Sequence, residues 1–232
     1  VEEHCFINDP ERELLESIAR PIVLLQRRPE SPIAKEVAPA QDSVGVMLPY
    51  TPLHYLLFDE SSKFDALVMT SANLSEEPIA YTNEDARKRL ASLADAFLMH
   101  DRDIHVRCDD SVVRVISEQG SGDQVIRNQE SGNQENQLSK SELPTPELPN
   151  FHPPIPKFQI YPIRRSRGYA PFPVKLPWDA PPLLAAGAEL KNTFCITNQN
   201  YAFMSHHIGD LSNFETLQSF EQGIEHFEKL FR

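Results

Sequence analysis

Arg164, Arg165 and Arg167 form the densest basic cluster in a chain whose formal net charge is -12. A guanidinium fork matches phosphate oxygens, and alternation along a strand would put Arg165 and Arg167 on one face. Gly168 beside them would permit close backbone approach, whereas the alternative for the cluster is a solvated edge strand. Thr70-Ser71-Ala72-Asn73 closes the apolar run DALVMT. Backbone N–H groups, a hydroxyl and an amide can converge on an anion at such a place, although an ordinary turn has the same composition. From His100 to Ser111 the chain reads HDRDIHVRCDDS. Its acids could orient arginines or hold Mg2+, or the segment could be a salt-linked, solvated loop. His100 and His105 lack the spacing of a zinc site. The turn Gly187-Ala188-Glu189-Leu190-Lys191-Asn192-Thr193 offers a second anion or nucleotide contact. In a strand, the adjacent imidazoles of His206 and His207 would point to opposite faces, so at most one should enter a shared site.

The elements that must position these groups alternate between strand and helix. PIVLLQRR (21–28), DALVMT (65–70), AFLMH (96–100) and SVVRVI (111–116) read as strands. Thr51-Pro52 starts a short helix over LHYLLF, and a second helix runs from Thr82 through TNEDARKRLASL, with acids early and bases late. The first part is thus one α/β (α+β) domain. From 117 to 159 the chain is rich in Gln, Asn, Ser, Glu, Gly and Pro, a composition expected of a flexible insertion. YPIRRSRGYAPFPV resumes strand-like alternation, and KLPWDAPP reads as an extended connector. PLLAAGAEL, NTFCITN and YAFMSHH read as a meander of three strands. A helix from Asn213 follows, with Phe214, Leu217, Ile224, Phe227 and Leu230 on a core-facing stripe.

At 232 residues, with 40% hydrophobic residues, the chain can form one large or two small domains. Its acidity argues against general affinity for nucleic acid. Three dispersed cysteines, Cys5, Cys108 and Cys195, suit a reducing cytoplasm and neither a disulfide framework nor a cysteine zinc site. No apolar run is long enough for a membrane span, and no leader marks export. Val1 in place of Met and a final helix without a cap at Arg232 suggest a piece of something longer.

In order, PIVLLQRRPESPIA, VGVMLPYTPLHYLLF, MTSANLSEEPIA, HDRDIHVRCDDSVVRV, RRSRGYAPFPV, GAELKNTFC and SHHIGDL closely resemble blocks of the HypF hydrogenase-maturation family, across nearly the whole chain outside 117–159. The resemblance implies a YrdC-like nucleotide domain over 1–175, a twisted mixed sheet with helices, and the beginning of an actin-like (ASKHA) transferase domain over 181–232. It implies ATP with Mg2+ as cofactor, and carbamoyl phosphate as a substrate cleaved to carbamate, which is then adenylated. The carbamoyl group would pass to the C-terminal cysteine of a partner, HypE. By the same resemblance Ser71 and Asn73 match a Ser-x-Asn nucleotide contact. Arg107 is a further nucleotide-binding candidate, Ser111, Arg165 and Arg167 match the phosphate side of that pocket, and Lys191, Asn192 and His207 match the opening motifs of the transferase domain, with Lys191 and His207 the catalytic candidates. Zinc and a transferase-site metal belong to family modules that this chain lacks, so no metal ligand is expected here and the chain alone should be catalytically incomplete. Three alternatives stand beside this reading: a threonylcarbamoyl-adenylate synthase of tRNA modification, an antibiotic O-carbamoyltransferase, and a non-catalytic nucleotide-binding fragment. Glu76-Glu77, where such synthases carry Gly, and the GAELKNTFC block speak against the first.

Overall fold

Ile22–Gln26, the apolar heart of PIVLLQRR, forms strand β1, with Val23 and Leu25 fully buried. The computed structural model describes residues 1–59, 64–75, 77–116 and 158–231. Ahead of β1, Asn8 and Glu11 exchange side-chain-to-backbone hydrogen bonds of 2.9 Å each, a capping box that opens helix α1 (Asp9–Glu16). Leu14 and Leu15 on α1 pack into the core around β1. Antiparallel β2 (Ser43–Val46) and parallel β3 (Val112–Ile116) flank β1, and β4 (Gln159–Arg164) pairs antiparallel with β3. The order β2-β1-β3-β4 makes a mixed sheet, and with its helices the chain is a mixed α/β protein.

Both expected early helices form where their caps predict. Thr51 accepts the His54 N–H at 3.2 Å at the start of α2 (Pro52–Leu57), and Thr82 accepts the Asp85 N–H at 3.1 Å at the start of α3 (Asn83–Leu90). Replacing Thr82 by Ala should cost about 1 kcal/mol, measurable as a shift of the urea midpoint.

DALVMT and AFLMH do not form the strands expected of them. Neither carries a ladder among the described residues, and Val68 and Leu98 stand 77% and 79% exposed. An apolar run supplies extended propensity, but a strand exists only where a neighbour takes its N–H and C=O groups. The expected insertion lies outside the described residues, except that Phe158 packs against the core and Gln159 already belongs to β4.

The second sheet departs from expectation too. KLPWDAPP is no connector: β5 (Val174–Ala180) pairs antiparallel with β7 (Phe194–Met204). Pro177, which has no N–H to donate, falls where that ladder is interrupted between Lys175 and Ala180. NTFCITN and YAFM are one strand rather than two. Gln199 adopts φ 55 within β7, so Asn198-Gln199-Asn200 makes a kink opposite Ala180 instead of a chain reversal. Short β6 (Leu184–Ala186) completes the order β5-β7-β6.

Helix α4 (Phe214–Phe231) covers this sheet, turned relative to the expected stripe. Thr216, Gly223 and Phe227 are buried and Ile224 and Phe220 pack beside them, whereas Phe214 and Leu230 are 70% and 54% exposed. The anchor is Phe194, whose ring meets those of Phe220 and Phe227 edge to face at 5.8 and 5.1 Å. A Cβ at Gly223 would lie 3.1 Å from Phe194, so a glycine lets the helix approach this closely. Among the described residues no helix is long and apolar enough to cross a membrane.

Beyond β4, Gly168 takes φ 84, and a Cβ there would sit 2.7 Å from the Ala19 carbonyl oxygen. The close approach foreseen at this glycine is therefore to the chain's own backbone. Gly168→Ala should lose roughly 2–3 kcal/mol, read from urea unfolding, because both the left-handed conformation and the contact resist a side chain.

Candidate functional site

The end of β4 and the turns around it face the segment after β7 and helix α4 across a cleft of about 220 Å3. From the first side it is lined by Ser71, Asn73, Arg107, Asp109 and Arg164; from the second by Lys191, His206, His207, Asp210 and Ser219. Segments separated by more than a hundred residues thus share one polar pocket, and each is held by identifiable contacts.

The Ser71 hydroxyl donates to Asn73 Oδ1, while Asn73 Nδ2 donates to the carbonyls of Leu74 and Glu77 at 2.9 and 3.0 Å. This turn is anchored to α3 by Arg89. Its guanidinium pairs with Glu77 and Asp85, both at 2.8 Å, and donates to the Pro78 carbonyl at 2.7 Å. Arg107 lies with its guanidinium carbon 4.5 Å over the Tyr81 ring and donates through Nη1 to the Ser219 hydroxyl of α4.

Arg164 is the arginine of the cluster that reaches the cleft. It pairs with Asp109 at 3.0 Å and donates through Nε to the Asp110 carbonyl at 2.9 Å. Arg165 and Arg167 do not share a strand face, because β4 ends at Arg164. The half-buried guanidinium of Arg165 donates to the carbonyls of Met204, Tyr169 and Phe172 at 3.1, 2.6 and 2.7 Å, and burial holds its pKa below the ordinary arginine range. Arg167 pairs with Asp110 at 2.6 Å, donates to the carbonyls of Ala19 and Arg20, and stacks 3.5 Å over Tyr50. Fully buried Ser111 donates to the Arg167 carbonyl at 2.8 Å and accepts the Ser166 N–H at 2.7 Å. These three residues lie outside the cleft lining, and their polar atoms tie the 165–168 turn to β3, to the segment before β1 and to the end of β7.

On the second side Lys191 adopts φ 52, an uncommon conformation for a residue with a side chain, and its N–H donates to Asp210 at 2.6 Å. Asn192 is buried outside the cleft lining. Its N–H donates to the Gly209 carbonyl at 2.8 Å and Nδ2 to that of Ala188 at 2.8 Å, so it locks the 188–192 turn against 208–210. Both histidines line the cleft, contrary to the expectation that one would turn away, because β7 ends at Met204 and the alternation ends with it. Burial, then the neighbouring His207 and His226, push His206 down from 6.5 to about 4. Burial, then Arg164, lowers His207 as well. The His207 N–H donates to the Arg165 carbonyl at 3.1 Å, directly linking the two sides.

Of the residues singled out in the sequence, the cleft therefore gathers Ser71, Asn73, Arg107, Lys191 and His207, and leaves out Ser111, Arg165, Arg167 and Asn192. Arg164 and His206, noted in the sequence without an assigned role, join them, and Asp109, Asp210 and Ser219 are additions. Among the described residues no group of three or more His, Cys, Asp or Glu side chains could hold a metal ion. The cleft combines phosphate-type donors with neutral imidazoles and three carboxylates, of which Glu77 and Asp109 are paired with arginines and Asp210 accepts the Lys191 N–H.

A family model named Sua5_yciO_yrdC, described as telomere recombination, matches residues 1–128, and a HypF Kae1-like domain model matches residues 179–232. Carbamoyltransferase HypF2 of Cupriavidus necator and carbamoyltransferase HypF of a Synechocystis species are each 39% identical, over 97% and 99% of this chain. The chain spans about a quarter of the length of these relatives, 25% and 24%. The crystal structure of full-length HypF in the phosphate- and nucleotide-bound form covers the whole chain at TM-score 0.76 and 39% identity, using 30% of its own length. HypF of T. kodakarensis does so at TM-score 0.78 and 32% identity, using 25% of its length. The chain therefore belongs to the Sua5/YciO/YrdC family, in the HypF-type form in which that unit runs on into a Kae1-like one.

Proposed function

We propose that this chain forms the meeting point of a carbamoyl-activating and a carbamoyl-transferring unit. Carbamate derived from carbamoyl phosphate is adenylated by ATP on the side of Ser71, Asn73, Arg107 and Arg164, and the carbamoyl group is then passed on past Lys191 and His207. The observation that carries this reading is the single cleft shared by residues of both matched units. At about 220 Å3 it is smaller than the roughly 300–1,000 Å3 typical of a pocket enclosing a whole drug-sized ligand, so it suits the phosphate end of a nucleotide or a carbamoyl group.

The chemistry follows from the groups present. Adenylation needs positive charge and N–H or O–H donors around the polyphosphate rather than a covalent nucleophile. Arg107, Arg164 and Lys191 supply charge, and Ser71 and Asn73 supply short polar side chains. Mg2+, where it enters, would ride on the nucleotide's phosphates, with few carboxylate ligands from the protein. His207, held neutral by burial and Arg164, can accept a proton from an attacking group. The relatives' name supports the transferase class, and the acceptor in this reading is the C-terminal cysteine of HypE. A threonylcarbamoyl-adenylate synthase would have no use for a second unit contributing Lys191 and His207 to the same pocket.

The test is carbamate-dependent ATP–pyrophosphate exchange by the full-length protein. Ser71→Ala and Asn73→Ala should each raise the ATP requirement about ten- to a hundredfold, since a hydrogen bond to a charged phosphate is worth roughly 1.5–3 kcal/mol. Wild-type ATP dependence in both variants would make the Ser71–Asn73 turn purely structural and remove the nucleotide from this cleft.

A further inference from the structure

A second cavity, of about 410 Å3, opens between the 105–107 loop and helix α4 and shares Arg107, His206 and Ser219 with the cleft. The reaction proposed above makes no use of it. Its lining carries the basic side chains His105 and Arg107 from the loop and His226 and Lys229 from α4, beside Tyr81, Val106 and Phe227, with Glu225 as the one carboxylate among the described lining residues. His105 and His226 face each other edge to face, ring centroids 5.5 Å apart. Arg107 spends one side of its guanidinium on the Tyr81 ring and Nη1 on Ser219, which leaves its Nε buried without an acceptor.

A buried guanidinium N–H without a partner is costly, and an oxyanion is the ligand that would satisfy it while neutralising the surrounding charge. Histidine, lysine and arginine side chains on two facing elements are donors of the kind that grip phosphoryl oxygens. The cavity has room for more than a single phosphate group. We propose that it is a second anion site, specific for a small inorganic phosphate-class oxyanion, with Arg107, His226 and Lys229 as its donors. It is separate from the nucleotide reading, because two of the three donors lie outside the cleft.

The experiment is equilibrium dialysis of the full-length protein with labelled pyrophosphate and, separately, labelled orthophosphate, comparing wild type with His226→Gln and Lys229→Met. Lys229 is exposed, so its replacement should leave folding intact. ATP affinity is measured in parallel. The proposal expects each variant to weaken one oxyanion site about tenfold while ATP affinity stays within twofold of wild type, the size set by losing one charge-assisted hydrogen bond. The anion held more tightly in wild type, and lost in both variants, identifies the occupant. Oxyanion binding unchanged in both variants overturns the proposal, as does a loss of ATP affinity equal to the loss of oxyanion affinity.

Discussion

Replacing Arg165 by Ala is expected to lower the unfolding free energy by roughly 3–5 kcal/mol, because three backbone carbonyls lose their donor in a place water reaches poorly. The carbonyls belong to Tyr169 and Phe172 on its own turn and to Met204 at the end of β7. Arg165→Lys should recover about half, since an ammonium can keep some of these acceptors but cannot span them as a planar fork does. Urea unfolding of the two variants beside wild type measures both. Because the Arg165 carbonyl also accepts the His207 N–H, the alanine variant should raise the His207 pKa as the segment loosens and water returns to the imidazole. A loss below about 1 kcal/mol would mean that water replaces the guanidinium and that Arg165 does not join the two sides.

The second large effect is a dependence of stability on pH. His206 titrates at about 4 in the folded chain against 6.5 ordinarily, so the folded state disfavours its protonated form. Between those values the unfolded chain binds more protons than the folded one. Stability is therefore full above pH 6.5 and falls as the pH drops towards 4, by on the order of 2–3 kcal/mol. The lowered His207 acts in the same direction. Urea midpoints of wild type and His206→Gln from pH 7 to pH 4 separate this contribution from that of the carboxylates: the glutamine variant should show a distinctly shallower decline. Parallel declines would place His206 in contact with solvent.

The early helices were legible because their determinants are local. Thr51 and Thr82 each cap a helix from within three residues, and a buried run such as IVLLQ has no use on the surface. Helix α1 was legible too, and missed, although Asn8 and Glu11 spell a capping box. What the sequence could not convey was pairing over distance. DALVMT looks as strand-like as IVLLQ, but among the described residues only the latter finds neighbours, one of them about ninety residues away. The candidate site divides in the same way. Ser71, Asn73, Arg107, Lys191 and His207, singled out through the family resemblance, all line the cleft. Which arginine of Arg164, Arg165 and Arg167 would join them depended on where β4 stopped and which carbonyls lay nearby, and neither is written in the spacing.

The join between β3 and β4 has a bearing on how the intact protein can be labelled. Its two ends, Ile116 and Gln159, lie side by side as antiparallel partners although 42 residues separate them along the chain. Ser111 and Arg164 sit at the opposite end of the same two strands, held by the ladder between them. A reporter or affinity tag placed at this join is therefore kept a full strand length away from the cleft.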